Sequence, residues 1–201
     1  YQGVGVPVTA TEILVTTGGS EALVFAFMTC LNPGDEVIIP EPFYANYNGF
    51  AELAGVKVVP VTAHIEDGFA LPPMAEFEAA ISDRTKGILI CNPGNPTGTK
   101  YAESSLSDLA SLVQQHDLFL FSDEVYREFT YDGSIAKSIL GIAGLEEHAI
   151  VVDSVSKRYS MSGARIGALV TQNKKVNRAA MKFDTARFSP PTLAQIAAEA
   201  A

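Results

Sequence analysis

The stretch Ile13-Leu14-Val15-Thr16-Thr17-Gly18-Gly19-Ser20-Glu21-Ala22 places an aliphatic run directly before two glycines and a longer apolar segment. Such a run, closed by a glycine turn, is typical of a β-strand that leads into a helix. The same alternation of short hydrophobic runs with longer amphipathic segments continues along the rest of the chain. Strands that alternate with helices predict an α/β fold in which crossover connections build a mostly parallel sheet.

The pattern predicts seven strands and six helices. The strands are expected at residues 13–16, 36–39, 56–61, 87–91, 118–122, 150–153 and 166–170. The helices are expected at residues 21–31, 44–53, 74–81, 104–115 and 135–142, and from Lys174 toward Ala186. The strands are hydrophobic on both faces, as in a sheet that is covered by helices on both sides. We therefore expect a three-layer α/β/α fold with a mostly parallel seven-stranded sheet.

Composition and charge exclude several classes of protein. A chain of 201 residues with 47% hydrophobic and 18% charged residues can bury a core, and it is not of the disordered type. Its longest apolar stretch, residues 22–28, is far shorter than the roughly 20 residues of a membrane helix. The N-terminus shows no basic and apolar signal pattern, so no targeting segment is expected, and cysteines without a disulfide or metal pattern make a cytoplasmic location the expectation. Fourteen Lys and Arg against 23 Asp and Glu give a net charge of −9, which disfavours nucleic acid as a partner.

The two cysteines, Cys30 and Cys91, lie in apolar segments and have no spacing typical of metal ligands. We expect buried, reduced thiols and no metal site.

Polar motifs follow five of the predicted strands. They are Thr17-Gly18-Gly19-Ser20, Pro40-Glu41-Pro42-Phe43-Tyr44, Asn92-Pro93-Gly94-Asn95-Pro96-Thr97-Gly98, Asp123-Glu124-Val125-Tyr126 and Ser154-Val155-Ser156-Lys157, with Arg165 at the start of the last strand. Ligands of open α/β sheets bind at the carboxyl ends of the strands. These motifs are therefore expected to meet at one edge of the sheet.

Four of these residues suit a phosphate group. Gly19 and Ser20 stand where a strand turns into a helix, and a helix N-terminus offers free N–H groups and a positive dipole end. Ser154 supplies a hydroxyl, and the guanidinium of Arg165 can bind two phosphate oxygens. A tight turn with Ser20 as an ordinary N-cap and a surface arginine are the alternatives.

Lys157 and Asp123 suit a carbonyl cofactor with a basic ring. A lysine amine forms a Schiff base with a carbonyl group, and desolvation makes it a nucleophile and a base. Asp123 ends a hydrophobic run, so its carboxylate requires a partner such as a pyridinium N–H, a helix N-terminus or a cation. Asn95 and Tyr126 could bind one ligand oxygen, and Tyr44 could stack on a flat ring or pack into the core.

Taken together, the motifs resemble the fold-type I pyridoxal-phosphate enzymes, specifically the class I and II aminotransferases related to aspartate aminotransferase. The resemblance rests on Thr17-Gly18-Gly19-Ser20-Glu21-Ala22-Leu23, Pro33-Gly34-Asp35-Glu36-Val37, Asn92-Pro93-x-Asn95-Pro96-Thr97-Gly98, Ser122-Asp123-Glu124-Val125-Tyr126 and Ser154-x-Ser156-Lys157-x5-Gly163-x-Arg165-x-Gly167. Five motifs in this order are far more specific than any one of them.

The resemblance implies a role for each candidate residue. Lys157 would hold pyridoxal phosphate as an internal aldimine and shuttle the substrate α-proton, while Asp123 would keep the pyridine nitrogen protonated. Tyr126 would belong to the same catalytic group. The remaining cofactor contacts would come from Asn95 and Tyr126 at the ring hydroxyl, Tyr44 on the ring face, and Gly19, Ser20, Ser154 and Arg165 at the phosphate, with a backbone N–H of Glu21.

The resemblance also implies what surrounds this chain. Family members are longer and carry a smaller second domain, built from both chain ends, with an arginine that binds the substrate α-carboxylate. Residues 1–201 are therefore expected to form most of the large, cofactor-binding domain and to transaminate poorly alone. Amino acids and 2-oxo acids would be the substrates, and a homodimer the assembly.

Other functions share parts of this pattern. Relatives perform β-elimination on the same scaffold, and aminotransferase-like domains serve as effector modules of transcription regulators. Ser20, Asp123 and His148 occur in the chain order of an α/β-hydrolase triad. A dinucleotide-binding dehydrogenase fits poorly, because Gly3-Val4-Gly5 precedes the first strand instead of following it.

Overall fold

A computed structural model describes residues 5–6 and 8–201. The strands are β1 (Ile13–Thr16), β2 (Glu36–Glu41), β3 (Lys57–Thr62), β4 (Thr85–Cys91), β5 (Phe119–Asp123), β6 (Ala149–Ser154) and β7 (Gly167–Val170). The helices are α1 (Gly19–Cys30), α2 (Asn46–Leu53), α3 (Met74–Ala80), α4 (Glu103–Gln115), α5 (Val155–Arg158), α6 (Lys174–Arg187) and α7 (Thr192–Glu199). All seven predicted strands are confirmed.

The strands form one sheet in the order β1-β7-β6-β5-β4-β2-β3. The pairs from β3 through β6 are parallel, whereas β7 runs antiparallel to both β6 and β1. The connection over residues 155–166 explains the exception, because a parallel crossover normally uses a full helix and this segment holds only the single turn α5 and a 3-10 turn, Ser162–Ala164. As a result, the beginning of β7 lies at the same edge as the carboxyl ends of its neighbours.

Helices cover both faces of the sheet, as the two-sided hydrophobicity predicts. In β4, Leu89 and Cys91 belong to the core under α1, α2 and α6, while Ile88 and Ile90 belong to the core under α3 and α4. Successive side chains of a strand point to opposite faces, so one buried strand contributes to both cores. The three-layer α/β/α expectation is confirmed.

The predicted helix at residues 135–142 is wrong. Only Ile139–Gly141 forms a short 3-10 turn there. The Ser138 hydroxyl and the Ile139 N–H both donate to Glu124 Oε1, each at 3.0 Å. The Ile139 N–H therefore binds the carboxylate of Glu124, which follows β5, instead of a helical carbonyl. The helices α5 and α7 lay outside the predicted set.

Candidate active site

A cavity of about 210 Å³ opens at the carboxyl edge of the sheet. Nine of the ten residues predicted to bind the cofactor line it: Gly19, Ser20, Tyr44, Asn95, Asp123, Tyr126, Ser154, Lys157 and Arg165. The tenth, Glu21, lies outside the lining. The sheet topology brings these residues together from positions that are up to 146 residues apart (165 − 19).

Asp123 stands at the floor of the cavity, at the end of β5. Its Oδ2 accepts a hydrogen bond of 2.8 Å from the Tyr47 hydroxyl, and its Oδ1 accepts one of 3.2 Å from the Val125 N–H. Burial raises the pKa of Asp123 to about 6, while these two donors and the charge of Lys157 oppose that rise. The pair of donors leaves further lone pairs of the carboxylate for a donor in the cavity.

Lys157 lies on α5, which begins where β6 ends. Ser154 caps this single turn, since its Oγ accepts a hydrogen bond of 3.1 Å from the Ser156 N–H. The Nζ of Lys157 lies 5.8 Å from the centre of the Tyr126 ring. The amine therefore shares the cavity with Asp123 and an aromatic wall.

The N-terminus of α1 forms the other end of the cavity. The first intrahelical bond runs from the Ala22 N–H to the Gly18 carbonyl, so the N–H groups of residues 19–21 precede the intrahelical ladder. Arg165 lies beside this turn: its Nη2 donates to the Thr17 carbonyl at 3.2 Å and its Nη1 to the Ser162 carbonyl at 2.8 Å. Free N–H groups, a hydroxyl and a guanidinium are the donors that bind a phosphate.

Glycine is required at two positions of this end. Gly18 adopts φ +89°, and a Cβ there would lie 2.1 Å from Arg165 Nη2. At Gly167, a Cβ would lie 2.4 Å from the Gly18 carbonyl carbon and 2.6 Å from the Gly19 nitrogen. The beginning of β7 and the turn before α1 thus touch through backbone atoms.

The side chain of Glu21 makes its contacts outside the cavity. Its carboxylate accepts a hydrogen bond of 2.8 Å from the Thr17 N–H and pairs with Arg187 Nε at 3.1 Å. The side chain thus joins the start of α1 to the end of α6. This leaves the backbone N–H of Glu21, in the first turn of α1, as the group that the resemblance assigns to the phosphate.

Aromatic side chains enclose the middle of the cavity. Tyr44 and Tyr126 both line it, and the ring of Tyr44 stands at 90° to that of Tyr47 with 5.5 Å between the ring centres. Asn95 contributes the amide of the loop after β4. The cavity therefore offers flat apolar surfaces between its phosphate-suited end and its carboxylate.

Sequence reasoning missed several residues of this site. The most informative is Tyr47, which is 1% exposed and donates to Asp123. Its position three residues after Tyr44, on one face of the helix predicted over residues 44–53, was the available signal. The other residues that line the cavity are Leu23, Phe50, Cys91, Val125, Ser156 and Ser162.

The hydrolase alternative fails on geometry. His148 precedes β6 and its Nδ1 lies 2.8 Å from the Leu118 carbonyl, ahead of β5. Ser20 and Asp123 lie at the opposite, carboxyl ends of the strands. His148 is therefore separated from Ser20 and Asp123 by the length of the strands.

Three further expectations concern the cysteines, metals and membranes. Both thiols are free, with Cys91 buried and Cys30 half-buried, and burial raises the pKa of Cys30 to about 12. Among the residues that the structure describes, no cluster of three potential metal-binding side chains occurs. Within the same residues, no helix combines the length and hydropathy needed to cross a membrane.

The structure defines an α/β domain with a cavity at the carboxyl ends of its strands, and comparisons with known proteins give its family. The model of aminotransferase class I and II matches residues 2–201. The putative aminotransferase YugH of Bacillus subtilis is 38% identical over 187 residues, or 93% of this chain and 48% of that protein. The aspartate/prephenate aminotransferase of Thermus thermophilus is 36% identical over 191 residues, or 95% of this chain and 49% of that protein. The solved aspartate aminotransferase of Thermotoga maritima matches with a TM-score of 0.91 at 31% identity, covering 98% of this chain and 52% of its own.

The chain belongs to the aminotransferase class I and II family. This family depends in general on pyridoxal phosphate. The chain spans about half the length of the curated relatives it matches.

Proposed function

We propose that this chain is the cofactor-binding large domain of a pyridoxal-phosphate-dependent aminotransferase, and that Lys157 is the residue that binds the cofactor covalently. The observation that carries the proposal is the placement of Lys157 and Asp123 in one cavity with the N-terminus of α1. None of the other residues that line the cavity carries a primary amine in its side chain.

The donor set of the cavity fits pyridoxal phosphate. The free N–H groups of α1, the Ser20 hydroxyl and Arg165 would hold the phosphate. Asp123 would accept the N–H of the ring nitrogen, and Tyr44 would cover a ring face. Asn95 and Tyr126 would donate to the ring oxygen.

The bound cofactor supplies an electron sink for the charge that develops at the substrate α-carbon. Asp123 stabilises a proton on the ring nitrogen, because a buried carboxylate with hydrogen-bond donors at both oxygens remains the acceptor there. Lys157 Nζ removes the proton from the substrate α-carbon and returns it during the reverse half of the reaction.

The proposed reaction exchanges an amino group between an amino acid and a 2-oxo acid, in a cytoplasmic homodimer. Relatives that support it carry the names aspartate aminotransferase, aspartate/prephenate aminotransferase and N-acetyl-LL-diaminopimelate aminotransferase. The cations that line the cavity are Lys157 and Arg165. A group that binds the substrate α-carboxylate is therefore expected from outside the described residues.

The test is borohydride reduction of the intact protein after incubation with pyridoxal phosphate, followed by peptide mapping. A single pyridoxyl group on Lys157 is expected, and Lys157→Ala should abolish it. Lys137→Ala is the matched control, because Lys137 forms an exposed ion pair with Glu103 and does not line the cavity. A pyridoxyl group that persists in Lys157→Ala at another lysine would overturn the assignment.

A second measurement separates transamination from β-elimination. Transamination converts the amino acid to its 2-oxo acid and leaves the amino group on the acceptor, whereas β-elimination releases ammonia. Formation of a new amino acid from an added 2-oxo acid supports the proposal, and ammonia release without it would assign the chain to the lyases.

A further inference from the structure

A buried ionic network lies directly behind the wall of the cavity. Glu124, Arg127 and Asp153 are 1%, 3% and 5% exposed. Each is the chain neighbour of a cavity residue, namely Asp123, Tyr126 and Ser154 in that order. The network therefore touches the backbone that carries the site without entering the cavity.

Arg127 connects two strand ends within this network. Its Nε lies 3.0 Å from Glu124 Oε2, and its Nη2 lies 3.0 Å from Asp153 Oδ2. In the sheet, the last register pair of β5 and β6 joins Asp123 to Val152. Arg127 continues that connection through side chains, beyond the point where the register ends.

The network reaches Lys157 through Arg158. The Nη2 of Arg158 lies 3.2 Å from each carboxylate oxygen of Asp153, and its Nε lies 2.8 Å from Glu128 Oε2. The helix α5 has no buried residue, so core packing does not fix its orientation. Polar contacts hold it instead, namely the cap at Ser154, the hydrogen bond of 3.2 Å from the Val155 N–H to the Ile166 carbonyl, and the pair of Arg158 with Asp153.

Each buried charge in this network is stabilised by a neighbouring charge of opposite sign. Burial raises the pKa of Glu124 while Arg127 opposes that rise, together with the N–H of Ile139 and the hydroxyl of Ser138. Removing one partner of a buried ion pair leaves an uncompensated charge, whereas an apolar replacement of the whole cluster can be neutral for stability. Stability alone thus does not account for a network at this place.

We propose that Arg127 is a positioning residue, which fixes Lys157 Nζ relative to the Asp123 carboxylate by binding Glu124 and Asp153 together. The inference rests on the proposed function, because it concerns the amine that would bind the cofactor. Arg127 itself lines no part of the cavity.

The test compares Arg127→Lys with the wild type in the intact protein. Lysine keeps the charge but lacks the planar fork that reaches two carboxylates. Two quantities are measured: the rate at which borohydride traps pyridoxal phosphate on Lys157, and the pH midpoint of the visible absorbance of the bound cofactor. The titratable and charged groups that line the cavity with Lys157 are Tyr44, Tyr47, Cys91, Asp123, Tyr126 and Arg165.

We expect trapping on Lys157 to slow by at least about tenfold, since a misplacement of 1 Å costs on the order of 10²-fold in positioned reactions. The pH midpoint should shift as well. Arg84→Lys is the matched control: Arg84 binds the buried Glu36 through Nε at 3.2 Å and Nη2 at 2.9 Å, at the opposite edge of the sheet. It should change neither quantity.

Arg158→Gln tests the same connection with less risk to folding, because the Arg158 side chain is 22% exposed. It should slow trapping in the same direction. Wild-type trapping rates and midpoints in folded Arg127→Lys, or in Arg158→Gln if the first variant does not fold, would overturn the positioning role. Absence of a pyridoxyl group on Lys157 in the wild type would instead overturn the proposed function.

Discussion

At the scale of single residues, the carboxylate of Asp123 is held at a cost in stability. Its ordinary pKa of 3.8 rises to about 6 in the folded protein. Between these values the folded state binds more protons than the unfolded state, so the free energy of unfolding falls as the pH rises through this window. Above about pH 6 the buried carboxylate lowers the free energy of unfolding by its full amount.

Asp123→Asn should therefore stabilise the protein without cofactor above pH 6, by roughly 1 to 3 kcal/mol. The gain should shrink as the pH falls toward 4. Urea unfolding at a series of pH values measures it, with Asp108→Asn on the exposed face of α4 as the control. Parallel stability curves of wild type and Asp123→Asn over this range would contradict the prediction.

The same substitution should impair the cofactor-loaded protein. An amide at residue 123 cannot hold a proton on the ring nitrogen, so the charge at the substrate α-carbon loses its stabilisation. We expect bound pyridoxal phosphate but an exchange of the substrate α-proton with solvent that is slower by at least about 10²-fold. Proton NMR of the amino acid in D₂O measures this rate, and an unchanged rate would refute the role of Asp123.

The sequence identified Asp123 as buried and in need of a partner, but it did not identify Tyr47 as that partner. The reason is physical: a hydrophobic run that ends in a carboxylate can be recognised locally, whereas the donor lies 76 residues away on α2. The same holds for Glu21, whose carboxylate pairs with Arg187 at the end of α6. Long-range pairs depend on topology that one sequence does not contain.

At the scale of elements, the contact between β7 and the turn before α1 should be intolerant of any side chain. Gly167→Ala would place a methyl group within 2.4 to 2.9 Å of three backbone atoms. We expect a loss of about 1 to 3 kcal/mol in the free energy of unfolding and weaker binding of pyridoxal phosphate.

The matched control belongs to the same motif. A Cβ at Gly163 would meet nothing within 4 Å, and this glycine has no positive φ. Gly163→Ala should leave both the urea midpoint and the affinity for pyridoxal phosphate within error of the wild type. Equal effects of the two substitutions would show that the close backbone approach at Gly167 does not cause the loss of stability and affinity.

The elements themselves were predicted unevenly. Periodicity found all seven strands, because each is a short hydrophobic run bounded by turn residues. Periodicity wrongly predicted a helix over residues 135–142, where Glu124 binds a backbone N–H that a helix would have used. It also did not foresee the antiparallel β7, although the missing helix between residues 155 and 166 was a usable signal.

At the scale of the whole molecule, the two cores meet at the central strands. β5 is the fourth of seven strands and has β4 and β6 on either side, whereas α7 has no buried residue. Opening of a segment costs less where few contacts are lost. We expect the slowest amide hydrogen exchange in β4, β5 and β6 and, among the helices longer than the single turn α5, the fastest in α7.

Hydrogen exchange with mass spectrometry measures this order. Protection of α7 equal to that of β5 would contradict the expected order of exchange rates. It would indicate that another surface covers α7. Such a surface would belong to a part of the protein outside the described residues or to a second subunit.

The antiparallel strand has one more consequence. The phosphate-suited end of the cavity combines residues 18–20 at the start of α1, Ser154 at the end of β6 and Arg165 before β7. Gly167 pairs with both Thr16 and Ser154. An anion therefore meets its full set of donors only when the first and the last strands of the chain have joined the same sheet. A ligand that binds the native state alone at 100 times its Kd adds about 2.7 kcal/mol to stability. The rate of cofactor binding during refolding would therefore report the pairing of β1 with β7. The binding site is complete only after both strands have joined the sheet.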